Sequence, residues 1–317
     1  MGVVACGILC ISPSLRRSRI SSVGLHGLAF FKISPAFPCG LKRAWLTTTT
    51  TTTSIRDIPG SSCFRPPSAI LRPFHEHHGA LLQDIGATAL VLAGAYSLVL
   101  GFDKLTKRNL IQQSLSRKLV HILSGLLFMI SWPLFSTSTE ARYFAALVPL
   151  VNCIRLIING LSLGTDEGLI QSVTREGNPR ELLRGPLYYV LILILCAVVF
   201  WRNSPVGMIS LAMMCGGDGF ADIMGRRFGE LKIPYNIQKS WIGSVSMFLS
   251  GFLISIGMLY YFSRLGYFQL DWSWTVERVA LVSLGATVVE SLPNTKVVDD
   301  NLSVPLSSML MASLLFR

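Results

Sequence analysis

Charge is scarce in this chain. Of its 317 residues 14% are Asp, Glu, Lys or Arg and 51% are hydrophobic, whereas a soluble globular domain carries roughly 25% charged residues. With a mean hydropathy of +0.52, this composition excludes an ordinary soluble domain and predicts an integral membrane protein. Acids are rarest at the start, where Arg16, Arg17, Arg19, Lys32, Lys42, Arg43, Arg56, Arg65 and Arg72 have only Asp57 among them. The net charge of +11 is therefore concentrated in an extension. It forms no basic stripe with interleaved aromatics, which argues against nucleic-acid binding. The seven cysteines show neither metal nor disulfide spacing. Cys153 and Cys196 sit in apolar runs and read as small buried hydrophobes. No internal repeat is visible, which disfavours the inverted-repeat transporters. No Gly-x-x-x-x-Gly-Lys loop is present, so the chain is not a P-loop enzyme.

What is present divides at about residue 65. Residues 1–65 are rich in Ser, Thr and Arg, with a threonine run from Thr47 to Thr53. This composition predicts a chloroplast transit peptide. Residues 66–317 read as one membrane domain. A membrane helix needs about 20 mostly apolar residues. Candidate spans are Ile85–Gly101, Leu119–Phe135, Tyr143–Ile158, Pro186–Trp201, Pro205–Gly217, Trp241–Phe262, Val276–Val289 and Val304–Phe316. The fold expected is all-α, a polytopic bundle of seven or eight transmembrane helices. The fifth span is expected to be short and to break in a Gly-Gly-Asp-Gly segment.

The connections sort by charge. Those after the first, third, fifth and seventh spans are polar and charged, and the others are short or poor in charge. The positive-inside rule places the charged set on one face, predicted to be the stroma. Asp218 and Asp222, Lys239, and Asp299 with Asp300 all fall on that face.

Asp218 and Asp222 carry the strongest signal. They stand four residues apart in Cys215-Gly216-Gly217-Asp218-Gly219-Phe220-Ala221-Asp222, at a membrane edge where a carboxylate costs several kcal/mol unless something offsets it. On a continuous helix both point from one face. Two oxygen donors so placed suit a hard cation such as Mg²⁺. The bland alternative is a structural pairing with Arg226 or Arg227. The neighbouring Gly217, Gly219, Gly225 and Gly229 permit close approach of backbone or ligand. Asn236, Lys239, Ser240, Gly243 and Ser244 follow at the mouth of the sixth span. There free amides, the helix dipole and a lysine favour phosphate, and an ordinary helix cap is the alternative. Asp299 and Asp300 are candidate nucleotide contacts or caps of the last helix. Glu290 is an acid ending an apolar helix. Arg117, Lys118 and His121 open the second span as candidate phosphate or substrate groups, or as plain flanking cations.

These residues resemble the polyprenol kinase family, which embraces phytol, farnesol and dolichol kinases. The resemblance rests on Ser116 to Gly125, Glu181 to Val190, Cys215 to Asp218, Ile233 to Asn236, Lys239-Ser240, Val289 to Pro293 and Asp299 to Asn301. It covers roughly residue 80 to the end. The family pattern Asp-x-x-Ala-x-x-x-Gly-x-x-x-Gly, then Lys-Ser-x-x-Gly-Ser, is met by Asp218, Ala221, Gly225, Gly229, Lys239, Ser240, Gly243 and Ser244. The resemblance implies Mg²⁺-dependent phosphoryl transfer from CTP to an isoprenoid alcohol in a plastid membrane. Asp218 and Asp222 would hold the metal, Lys239 and Ser240 the phosphates, and a nearby carboxylate would take the alcohol proton. The longer runs favour phytol as acceptor, with the product feeding tocopherol synthesis. Farnesol or geranylgeraniol phosphorylation, a CTP:lipid cytidylyltransferase and a cation-coupled transporter remain the alternatives.

Overall fold

The computed structural model describes residues 68–316 apart from 165, 175–176 and 294–298. The transit peptide expected over residues 1–65 lies outside the described residues. The helices are α1 (Ser68–Lys107), α2 (Gln113–Ser131), α3 (Ala141–Gly160), α4 (Glu167–Val173), α5 (Gly185–Leu195), α6 (Pro205–Ala212), α7 (Gly219–Phe228), α8 (Trp241–Arg264), α9 (Trp272–Ser291) and α10 (Asp300–Leu315). A small antiparallel hairpin pairs β1 (Lys232–Ile233) with β2 (Asn236–Ser240) between α7 and α8. The fold is an all-α membrane bundle. Among the described residues, six helical segments are long and apolar enough to cross a membrane. Each falls on an expected span, and α9 and α10 occupy the last two.

Helix starts follow from local chemistry. The first amides of a helix have no partner within it, and short polar side chains accept from them. Ser204 does so for α6, Asp271 for α9 and Asp299 for α10, with Pro205 in the first turn of α6. A helix apolar on every side must be surrounded by protein or lipid. Here α6 is the protein-surrounded one: Met208, Ile209, Leu211 and Ala212 are fully buried.

The fifth span differs from the expectation of a break. After α6 the chain widens into a π-helical turn, Met213–Asp218, and continues directly into α7. The segment Pro205–Phe228 is one continuous span of 24 residues. A π turn inserts a residue without ending a helix. Gly216 and Gly217 give it room against the neighbouring α8, where an added Cβ on Gly216 would strike Ile254.

On the face away from the acidic motif, a polar staple fastens the bundle. Asp84 on α1 is buried and accepts from Ser136 N at 2.6 Å and Ser136 Oγ at 2.8 Å. Arg202, in the turn after the fourth span, is also buried. Its guanidinium donates to the carbonyls of Trp132 at 3.2 Å and Phe135 at 2.9 Å, and to that of Ser136. Arg202→Met should leave these carbonyls unpaired and cost about 3 kcal/mol. The measurement is the thermal unfolding temperature in detergent; an unchanged value would show that the carbonyls find other partners.

Candidate active site

Asp218 closes the π-helical turn, and Asp222 lies one turn further into α7. Because the helix is continuous, both carboxylates reach one ammonium group. Lys118 Nζ on α2 stands 3.2 Å from Asp218 Oδ2 and 3.7 Å from Asp222 Oδ2. Asp222 also accepts from Arg226 Nε at 2.9 Å, so the structural pairing weighed above is present as well.

Lys239, at the end of β2, faces them from the other side. Its ammonium pairs with Glu290 and, at 2.8 Å, with Asp300. Burial works against charge on Lys239, but the carboxylates of Glu290 and Asp300 outweigh it and hold its pKa above the ordinary lysine value. Lys239 is therefore a protonated counter-ion in this arrangement.

An oxygen from each of Asp218, Glu290 and Asp300 lies within 4.8 Å of the other two. Glu290 Oε2 is buried with no hydrogen-bond partner among the described residues. Converging carboxylates with a spare buried oxygen fit a hard, oxygen-seeking divalent cation such as Mg²⁺. Asp222 stands outside this triplet and joins it through Lys118.

The remaining candidates divide between packing and the site. Gly225 and Gly243 meet where α7 crosses α8. A Cβ on Gly225 would lie 3.1 Å from Ser240 Oγ and 3.6 Å from Gly243 Cα. Small residues at a crossing let helix backbones approach, and Gly229 is closed in by the same serine. Gly217 packs on Met247 of α8, and Gly219 against Ile122 of α2. The close approach expected of these glycines is therefore made largely by protein. Ser240 caps α8, accepting from Gly243 N at 3.2 Å. Ser244 Oγ is buried without a partner among the described residues. Asn236 ties β2 to the end of α9, donating to the carbonyls of Ser291 and Leu292 at 3.1 Å each. Asp299 caps α10. Arg117 donates to Thr174 O at 3.3 Å.

His121 lies one turn beyond Lys118. Its Nε2 is 3.3 Å from Met214 O, and a carbonyl can only accept, so Nε2 carries a proton in this contact. Its ring stacks obliquely on Tyr189, centroids 4.2 Å apart. The Tyr189 hydroxyl donates to His121 O at 2.9 Å and lies 3.1 Å from Ser124 Oγ. Tyr189 was not singled out in the sequence. Its polar hydroxyl within the apolar run from Leu187 to Leu195 is the signal that marks it.

One cavity of about 1650 Å³ gathers these groups. Lys118, His121, Asp218, Asp222, Lys239, Glu290 and Asp300 line its polar end, with Arg117, Arg180 and Arg184. Asp103, Thr106 and Lys107 of α1 and Asn152 and Arg155 of α3 line it too, and apolar side chains from α1, α2, α3 and α5 line the remainder. Cations and carboxylates thus meet a hydrocarbon-lined space in a single enclosure.

Among known proteins, the chain is 70% identical over 237 residues to "Probable phytol kinase 1, chloroplastic" of Glycine max, covering 75% of this chain and 78% of that one. It is 68% identical over the same length to "Phytol kinase 1, chloroplastic" of Arabidopsis thaliana, again covering 75% and 78%. A probable phytol kinase 1 of Oryza sativa subsp. japonica is 65% identical, covering 75% and 76%. No family model and no solved structure matches the chain significantly.

The shared counter-ion can be tested by stability. Lys118→Met should leave the buried Asp218 and half-buried Asp222 carboxylates facing each other and cost about 3 kcal/mol. Adding Asp222→Asn removes one of the two charges and should restore roughly half of that loss. Thermal unfolding of the single and double variants measures both; a double variant no more stable than the single would show that Lys118 is not what holds the pair.

Proposed function

The chain belongs to the phytol kinase family, and we propose that it transfers the terminal phosphoryl group of CTP to the hydroxyl of phytol. The product is phytyl phosphate, which feeds tocopherol synthesis from phytol released by chlorophyll breakdown. The reaction takes place in a chloroplast membrane, with the polar end of the cavity open to the stroma. The observation that carries this reading is the single cavity in which a charged cluster adjoins an apolar space. The acceptor dissolves in lipid and the donor in water, so the reaction needs an enclosure that admits both.

Each group has work suited to its chemistry. Phosphoryl transfer depends mainly on positioning and on offsetting negative charge. Magnesium bound at Asp218, Glu290 and Asp300 would supply positive charge against the donor phosphates, with Asp222, one turn from Asp218, joining as a ligand once Lys118 turns to phosphate. Lys118 and Lys239 hold these carboxylates in place in the absence of ligand and present ammonium groups to phosphate oxygens when it binds. Arg117, Arg180 and Arg184 at the rim attract the polyanionic donor. The acceptor hydroxyl sits at the boundary of the polar and apolar parts, beside His121. A carboxylate of the cluster accepts its proton as the new bond to phosphorus forms.

Purified protein in lipid vesicles, given phytol and CTP labelled at either the alpha or the gamma phosphorus, tests the reaction. Gamma label alone should appear in the lipid product, and CTP should support a higher kcat/KM than ATP, UTP or GTP. Alpha label in the lipid would mark a cytidylyltransferase and overturn the reading. Asp218→Asn should lower kcat by about 10²-fold or more at saturating Mg²⁺. It should also weaken Mn²⁺ binding measured by electron paramagnetic resonance, a readout independent of turnover.

A further inference from the structure

The apolar part of the cavity extends far beyond the reacting groups. Along α2 its lining runs from Lys118 to Phe128, ten residues and about 15 Å of helix. Along α5 it runs from Gly185 to Leu193, eight residues and about 12 Å. On α1 and α3 the lining reaches Val91 and Val148. Val91, Phe128, Val148 and Leu193 are all buried. Four helices, read independently, therefore place a closed floor deep in the bundle, on the side away from the carboxylates.

The cavity is not closed on every side. Tyr96 on α1 and Val151 on α3 both line it, yet they are 56% and 52% exposed. They lie mid-span on helices long and apolar enough to cross the membrane. Side chains that face both the cavity and the outside of a bundle mark a lateral opening, and at this height the surroundings are lipid tails.

We infer that this apolar arm is the binding site for the isoprenoid chain of the acceptor. The chain enters sideways from the lipid through the seam between α1 and α3, and the floor at Phe128 and Val148 sets the chain length accepted. The inference rests on the kinase reading and adds to it where the tail lies and what limits it. A water-soluble acceptor would need neither a hydrocarbon lining nor an opening towards lipid. The charged cluster sits at the other end, so a tail against the floor directs its hydroxyl towards Lys118 and Asp218. Hydrophobic pockets discriminate by size, one methylene being worth roughly 10- to 200-fold.

The experiment compares geraniol, farnesol, geranylgeraniol and phytol as acceptors for wild type, Val148→Phe and Phe128→Ala, with CTP saturating. Val148→Phe raises the floor and should lower kcat/KM for phytol relative to farnesol by about tenfold or more, with the KM for CTP unchanged. Phe128→Ala deepens the arm and should shift the ratio the other way. A wild type that phosphorylates none of the four alcohols overturns the kinase reading itself. An active wild type whose chain-length ratio is the same in both variants overturns the assignment of the arm. Should Val148→Phe fail to fold, a photoreactive diazirine at the tail end of the alcohol decides the matter in wild type. Crosslinks to peptides of α1, α2, α3 or α5 support the arm, and crosslinks confined to α8, α9 or α10 overturn it.

Discussion

Lys118 between Asp218 and Asp222 is the contact on which the arrangement of the site depends. A carboxylate at the edge of a bilayer is costly without a partner, and this site gathers Asp218, Asp222, Glu290 and Asp300. Asp218 and Glu290 are almost wholly buried. Left alone, such a cluster would repel itself or take up protons. Lys118 from α2 and Lys239 from β2 divide the carboxylates between them. The partners come from distant parts of the chain, 100 residues apart for Lys118 and Asp218 and 61 for Lys239 and Asp300. These ion pairs therefore fix where α2, α7, the hairpin, α9 and α10 stand relative to one another.

Backbone geometry brings the two halves to one level. The crossing of α7 and α8 at Gly225 and Gly243 leaves little room for a side chain. That closeness carries Ser240, the cap of α8, and Lys239 before it towards the helix that holds Asp218 and Asp222. The π-helical turn acts in the same direction. It adds a residue ahead of Asp218 while keeping the helix unbroken, so the acids stay stacked on one face. Its Met214 carbonyl is met by His121 of α2.

Much of this was legible in the sequence because it is local. Length and apolar content located the spans, and the alternation of charged and poor loops put Asp218, Asp222, Lys239 and Asp300 on one face. What escaped is pairwise. Nothing around Lys118 distinguishes a counter-ion from a flanking cation, since its partners lie in another span. Arg202, in a three-residue turn between spans, reads as an exposed loop cation until the Trp132, Phe135 and Ser136 carbonyls are seen around it. Gly225, Gly229 and Gly243 match a ligand-binding pattern, but a pattern cannot tell a ligand from a neighbouring helix as the thing approached. The fifth span was expected to be short and to break in the Gly-Gly-Asp-Gly segment, and glycines do weaken helices. Tertiary packing on α8 overrides that preference.

The staple on the far face bears on how a cavity can open to lipid while the bundle stays together. Asp84 binds α1 to the loop between α2 and α3. One turn along, Thr88 Oγ1 donates to Phe144 O of α3 at 3.1 Å. Ala87 beside Thr88 and Val91 nearly a turn further on are both buried, and Val91 already belongs to the cavity floor. Polar contacts that lock α1 onto α3 thus end where the cavity begins. Above them Tyr96 and Val151 line an open seam. Hydrogen bonds in a low-dielectric setting are worth more than in water, so a few of them at one end suffice to anchor α1. The other part of the helix is then free of the close packing that would fill the arm. The floor lies where it does because the staple lies beneath it, and the depth of the arm is the distance between two polar layers, one that fastens the bundle and one to which we assign the proposed chemistry.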